Sequence, residues 1–379
     1  MKNLCLLKYL FILLGSYFLI SCASNSEVQP KKVLEINPHG VLSIMWDKSI
    51  LSISYLGSFV PIVDNNAIFT ADTKGNIFRL DNTDGTIIKK FNIGDTLLSG
   101  VGVSSDAIFV TNNKAYLLSI SKVDGNLKWQ AKLPSISIEA PQVVGDTVVV
   151  RTNDAQLLAF NINDGKLIWV YQKPSPPLTI RATNTFQVVG KEVVLAGQPG
   201  GRLVLINMIT GSAIWENFIA IPKGATDLDK LTDIITKPIL DNKQIFVATY
   251  NGKIVSLDAT TNNIIWSKNF SSSQGLTIDE KNVYAVSQDS IVYCFDKTSG
   301  MLIWKNDELQ YNNLSTPVIF GNYILTVDIE GFINLFARDN GKLISRAASA
   351  LKGGISFPII DGRGVVIQSA NGHIAKILQ

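Results

Sequence analysis

Residues Gln156–Tyr171 read QLLAFNINDGKLIWVY. An apolar strand ends in a polar residue, a turn carrying Asp164-Gly165 follows, and a second strand carries Trp169. The phrase returns as YLLSISKVDGNLKWQ (116–130), LVLINMITGSAIWE (203–216), KIVSLDATTNNIIWS (253–267) and IVYCFDKTSGMLIWK (291–305). Weaker copies are IFRLDNTDGTIIKK (77–90) and INLFARDNGKLISR (333–346). Self-similarity at a fixed period decides the architecture before any single residue is read.

The glycine slot of the turn is filled by Gly85, Gly125, Gly165, Gly211, Asn262, Gly300 and Gly341, at spacings of 40, 40, 46, 51, 38 and 41 residues. A period near 40 with several short strands per unit marks a propeller blade. A further strand pair precedes each phrase, as in PQVVGDTVVVRTN (141–153) and TPVIFGNYILTVDIEG (316–331). Gly-Asp and Gly-Asn in their turns tolerate the positive φ that tight hairpins need. An eighth copy, SANGHIAKILQ (369–379), stops before its turn, and LSIMWDKSI (42–50) supplies the missing strand from the other end. The sequence therefore predicts an all-β fold over 37–379. It is an eight-bladed β-propeller of four-stranded antiparallel blades, closed by an N-terminal strand that hides the open edges. Trp46, Trp129, Trp169, Trp215, Trp266 and Trp304 fill one slot in six blades, with Lys89 and Ser345 in the other two. A ring repeated at one slot is expected to pack neighbouring blades. No 3.6-residue apolar period persists beyond a turn or two, which excludes a helical alternative.

Of 379 residues, 46% are hydrophobic and 17% charged, a globular balance. The 34 basic and 31 acidic residues give +3, or about +1 once the segment holding Lys2 and Lys8 is removed (32 minus 31). So even a balance argues against a nucleic-acid-binding protein. Cys5 and Cys22 belong to the N-terminal region, leaving Cys294 alone in the folded part, without an intrachain disulfide. Other copies carry Ser119, Ala159 and Ser256 at its strand position, so it reads as a small core residue. His39 and His373 are too few for a His-based metal site or a catalytic triad.

Residues 1–21 have the form of a secretory signal. Lys2 and Lys8 precede Tyr9–Ile20, an apolar run short for a membrane span. Leu19-Ile20-Ser21-Cys22 resembles the bacterial lipobox, which implies cleavage before Cys22 and lipidation of that residue. Acyl chains bind a bilayer at about 0.8 kcal/mol per buried CH₂, so several chains anchor a protein stably. Ala23 rather than Asp after the cysteine favours the outer membrane in lipoproteins of this type. Residues 22–36 are polar and read as a lipidated, flexible tether.

The phrase, an apolar strand and then Asp/Asn-x-x-x-Gly-x-x-x-Trp, resembles the tryptophan-docking repeat of quinoprotein dehydrogenases over nearly all of 42–379. Two families share that repeat and a Gram-negative envelope location. The pyrroloquinoline-quinone enzymes need a carboxylate-rich calcium site, a catalytic Asp and usually a vicinal disulfide. Here no cysteines are adjacent, and the chain has about half those enzymes' bulk. The second family is the BamB-type lipoprotein of the outer-membrane β-barrel assembly complex. It matches in lipobox, length, blade number and closing strand. The resemblance implies a non-enzymatic scaffold without cofactor or metal, lipid-anchored at the periplasmic face of the outer membrane. Its partners would be a POTRA domain of BamA, other subunits of the complex and nascent outer-membrane proteins. The rival expectation is a quinone- or other ligand-binding propeller with a site in the central channel.

The period is broken twice in succession. The connection from blade three to four, YQKPSPPLTIRATNT (171–185), gains about six residues, and that from four to five, AIPKGATDLDKLTDIITKP (220–238), about eleven. Neighbouring long loops on one rim of a rigid scaffold make a natural binding surface. In BamB-type proteins the first connection carries a leucine-x-aliphatic-arginine motif that docks onto BamA. It reads here Leu178-Thr179-Ile180-Arg181, and Leu178, Ile180 and Arg181 are the expected contacts. Arginine flanked by aliphatic side chains suits an interface hot spot. The family often has two acidic residues, one apart, near the end of the second connection. Asp233 matches the first, and Ile235 stands at the second. Asp227 and Asp229 read equally as interface residues or as solvated turn caps.

Overall fold

The computed structural model describes residues 29–36, 41–52, 59–181 and 184–379. The signal segment, Cys22, most of the tether and His39 lie outside them. Lys31–Gln379 forms one compact unit. Its strands make eight separate four-stranded antiparallel sheets. Seven are simple meanders. The third blade, for example, runs through Gln142–Val144, Thr147–Arg151, Leu157–Asn161 and Leu167–Tyr171. The eighth is composite. Ser43–Ser49 pairs antiparallel with the last strand, His373–Leu378, outside Gly364–Gln368 and Ile359–Asp361. Closure by an N-terminal strand is thus present.

Within a blade, burial falls from the second strand to the fourth. Ala67–Ala71 is wholly buried, whereas Ile87–Asn92 exposes all but one residue. The core is therefore a series of interblade layers. Trp169, for instance, joins Val149 and Ala159 of its own blade to Val194, Ile206 and Met208 of the next.

The repeated tryptophan has two functions at each junction. For Trp46, Trp129, Trp169, Trp266 and Trp304 the ring lies against the turn glycine of the following blade, whereas the turn that Trp215 meets has Asn262 there. A Cβ on Gly165 would come within 2.5 Å of the Trp129 ring, and one on Gly211 within 2.6 Å of Trp169. Both glycines hold positive φ, 70° and 72°, so a side chain is excluded by backbone and by space. Meanwhile the indole Nε1–H donates to the carbonyl three residues before that glycine slot. Trp129 reaches Ile162 at 2.8 Å, Trp169 reaches Met208 at 2.7 Å, and Trp304 reaches Arg338 at 2.9 Å. Trp46, Trp215 and Trp266 repeat the contact with Asn82, Ala259 and Lys297.

Blade one divides this work between two residues. Lys89 holds the tryptophan's register position, and its Nζ donates to the Val123 carbonyl of the next blade. Phe91, two residues on, supplies the ring that covers Gly125. The Lys89 ammonium lies 5.4 Å from the Phe91 ring centroid, so the cation and the ring support each other. Blade seven has Ser345 in the slot, fully buried. The blade that follows has no Asp-Gly turn to dock on, because its outer strand comes from residues 43–49.

A second latch uses the residue three before the turn glycine, whose carbonyl receives the indole wherever the slot holds tryptophan. Lys122, Lys297 and Arg338 each pair with a carboxylate of the preceding blade, Asp64, Asp241 and Asp279. Asn82 donates to Asp361 at 2.8 Å, joining blade one to blade eight. At the junctions leading into blades three, four and five the same position is apolar: Ile162, Met208 and Ala259.

One expectation shifts at the edge of the domain. The sequence reads as a flexible tether to residue 36, yet Lys31–Ile36 lies against blades six and seven. Lys31 pairs with Asp307 at 3.2 Å. Ile36 exchanges both backbone hydrogen bonds with Arg346 on the outer strand of blade seven, at 3.1 and 3.0 Å. Val33 and Ile36 pack on the cluster holding Trp304 and Leu314, which is what fixes a segment of polar appearance. Cys294 is fully buried in that cluster, and burial pushes its thiol up to about 12. It is therefore a core side chain and not a nucleophile.

Candidate functional site

The two long connections leave adjacent blades on the same rim and are tied together by one side chain. The first starts where Lys173 pairs with Glu216 of blade four at 2.9 Å. Burial opposes ionisation of Glu216, but hydrogen bonds from Lys173 and Tyr171 outweigh it and hold the carboxyl below its usual range. Pro174, Pro176 and Pro177 follow, all exposed, and restrict the backbone. The motif comes next. Leu178 is 44% exposed, Ile180 half-buried and Arg181 exposed. Arg181 has no carboxylate partner among the described residues.

The second connection exposes every residue from Ile221 to Lys230. Thr226 and Asp229 close a turn reciprocally. The Thr226 N–H donates to the Asp229 carboxylate at 3.1 Å, and the Asp229 N–H to the Thr226 hydroxyl at 3.2 Å. The Thr226 N–H bond is the main cause that keeps the Asp229 carboxyl low. Asp229 is thus a turn cap, and Asp227 lies 4.0 Å from Lys230 in open solvent. Beyond Leu231 the chain turns inward, and Ile234 is buried beside Leu195 and Val247.

Asp233, which the resemblance places in the interface, does not reach the surface. It is 3% exposed. One carboxylate oxygen accepts the Ile180 N–H at 2.7 Å, the other the Gly200 N–H at 2.7 Å. Its backbone carbonyl accepts the Tyr250 N–H at 3.0 Å. Both connections, the second-to-third strand turn of blade four and that of blade five thus meet at one residue. The physical reason is that the motif loop has backbone donors to satisfy and no strand to pair with, so a carboxylate from the neighbouring loop satisfies them. In the free chain the Asp233 carboxylate is spent on these internal donors.

Reading the sequence alone missed how blade four makes room for this. Its turn is Gln198-Pro199-Gly200-Gly201, preceded by Gly197. A Cβ on Gly197 would lie 2.2 Å from the Ile234 side chain, and one on Gly201 2.4 Å from the Ala220 carbonyl. Three glycines in five residues were the available signal. They mark where another segment lies against the turn.

Among the described residues, no three His, Cys, Asp or Glu side chains gather as metal ligands would. The rim thus carries an exposed leucine and, among the described residues, an arginine without a carboxylate partner, on a proline-containing segment held by Lys173–Glu216 and by Asp233.

Comparison with known proteins shows the family. The family model described as outer membrane protein assembly factor BamB matches residues 73–306. The protein of that name from Pseudomonas aeruginosa is 37% identical over 371 residues, 97% of each chain. That from Bordetella pertussis is 34% identical over 206 residues, 54% of this chain, and there the chain spans about half of the relative's length, 53%. The crystal structure of BamB from Moraxella catarrhalis superposes with a TM-score of 0.82 at 24% identity. It covers 89% of this chain and 100% of the other, a likeness of fold.

Proposed function

The chain belongs to the BamB family of outer membrane protein assembly factors, and from that membership we propose that it is a non-enzymatic scaffold subunit of the β-barrel assembly complex. It docks a periplasmic POTRA domain of BamA through Leu178, Ile180 and Arg181 and thereby assists assembly of outer-membrane β-barrel proteins. The observation that supports this reading is the fixed motif loop, held by Lys173–Glu216 at one end and by Asp233 under Ile180. Loop ordering is a cost of association, and a loop already ordered avoids it. The Arg181 guanidinium stands free to form a bidentate pair with a partner carboxylate.

Arg181→Glu is expected to abolish co-purification of BamA from detergent-solubilised envelopes while leaving the thermal unfolding curve unchanged. The charge reversal should cost on the order of 2–4 kcal/mol of binding, as loss of a hot spot does. Undiminished co-purification would show that the motif loop is not the docking surface.

The anchor in this reading is lipidated Cys22, which retains the protein at the periplasmic face of the outer membrane. Cys22→Ser is expected to shift the protein from the membrane pellet to the soluble periplasmic fraction. Retention in the pellet at high salt would require a different anchor.

A further inference from the structure

The mouth of the central channel lies between the blade-to-blade connections, and one half-buried cation there lacks an ion-pair partner among the described residues. Lys237, at the end of the second long connection, borders two adjoining cavities of about 280 and 370 Å³; the second also has Glu139 in its wall, already paired with Arg151 and Thr185. Three other largely covered ammonium groups are paired: Lys122 with Asp64, Lys297 with Asp241 and Lys376 with Asp361. Lys237 has no carboxylate partner among the described residues, and stretches 53–58 and 182–183, which lie outside them, contain no acidic residue. Its one close support is the Phe357 ring, 5.7 Å from Nζ to centroid. Burial alone lowers its pKa from the ordinary lysine value. An ammonium taken out of bulk water without an ion-pair partner costs free energy that a bound anion restores.

Asn184 and Gln274 contribute to the cavity wall, and Phe59, Ile235 and Phe357 give it an apolar side. The size is close to the lower end of small-molecule pockets, roughly 300 Å³.

We infer that the channel mouth is a binding site for a monocarboxylate with an apolar body, in which Lys237 pairs with the carboxylate and Phe59, Ile235 and Phe357 face the apolar body. A single positive charge balances a single negative one. A phosphate dianion would leave uncompensated charge in the same low-dielectric space. The carboxylate has two possible sources, a free small molecule or an acidic side chain of a polypeptide reaching over the rim.

The test is calorimetric titration of the full chain in detergent with three probes. These are phenylacetate, a capped tripeptide with a central glutamate, and inorganic phosphate, with phenylacetamide as the neutral control. Saturable binding of either carboxylate, weakened about tenfold or more in Lys237→Met and retained in Lys237→Arg, supports the site. Tenfold is the least expected from losing one charge-assisted hydrogen bond. The probe that binds identifies the source. Lys237→Gln, which also removes the charge, should weaken binding to the same extent and serves if Lys237→Met loses the native circular dichroism spectrum. No saturation by either carboxylate at millimolar concentration, equal binding to Lys237→Met, or preference for phosphate would overturn the assignment. Because Arg181 is untouched, BamA co-purification reports on the docking surface separately.

Discussion

Trp169→Ala is expected to lower the unfolding free energy by about 3–5 kcal/mol, the range for emptying a large buried aromatic site. Trp169 is only 6% exposed and joins two blades through one cluster. Its removal opens a cavity beside Gly211 that no neighbour can fill, because the glycine has no side chain and its φ of 72° forbids one. The Met208 carbonyl also loses the donor it has at 2.7 Å. Whole-domain stabilities are typically about 5–15 kcal/mol, so this one ring carries a large part of the margin. Trp215 provides the internal comparison. It is only partly buried, and the turn it meets has Asn262 in place of glycine. The Asn217 side-chain amide bonds to Asn262 twice, at 3.0 and 2.9 Å, so that junction has a second attachment. Trp215→Ala should therefore cost clearly less. Urea unfolding followed by circular dichroism ranks the two, and equal losses would refute a docking function specific to the buried slot.

The fold was legible because the signal is periodic and local. The turn glycine, the strand alternation and the tryptophan recur at a spacing near 40, and each is required by backbone geometry or ring packing within one junction. The exceptions were harder to read for the same reason. Lys89 stands at the slot without a ring, and its partner ring is Phe91, so a slot-by-slot reading finds a gap where the structure has a complete junction. The N-terminal segment looks like a polar tether because only Val33 and Ile36 bury apolar surface. Their site is formed by residues some 280 positions away.

At the rim, the two long connections were legible from the broken period, and Leu178 and Arg181 are exposed on the first of them. Asp233 was not legible. An aspartate in a polar loop reads as solvated. What buries it are donors 53 and 33 residues away in sequence, which no local pattern announces.

That difference gives the second large expectation, at a residue whose carboxylate is buried beneath the motif loop. Asp233→Asn should disorder the motif loop and strongly weaken BamA co-purification. Both carboxylate oxygens face N–H donors, Ile180 on one side and Gly200 on the other. An asparagine can present its oxygen to only one of them, and its amide group then opposes the second donor. Each charge-assisted bond contributes roughly 1.5–3 kcal/mol, and a buried donor left unpaired costs a similar amount. The loss is local, because Asp233 joins connections and turns, not blade cores. The unfolding midpoint should thus fall less than in Trp169→Ala, while amide hydrogen exchange at Ile180 and Gly200 accelerates by about two orders of magnitude or more, equivalent to roughly 3 kcal/mol of lost protection. Asp233→Glu keeps both acceptors on a longer arm and should restore part of the protection. Weakened binding with unchanged exchange would mean that Asp233 contacts the partner after all. Unchanged exchange together with unchanged binding would remove it from the site.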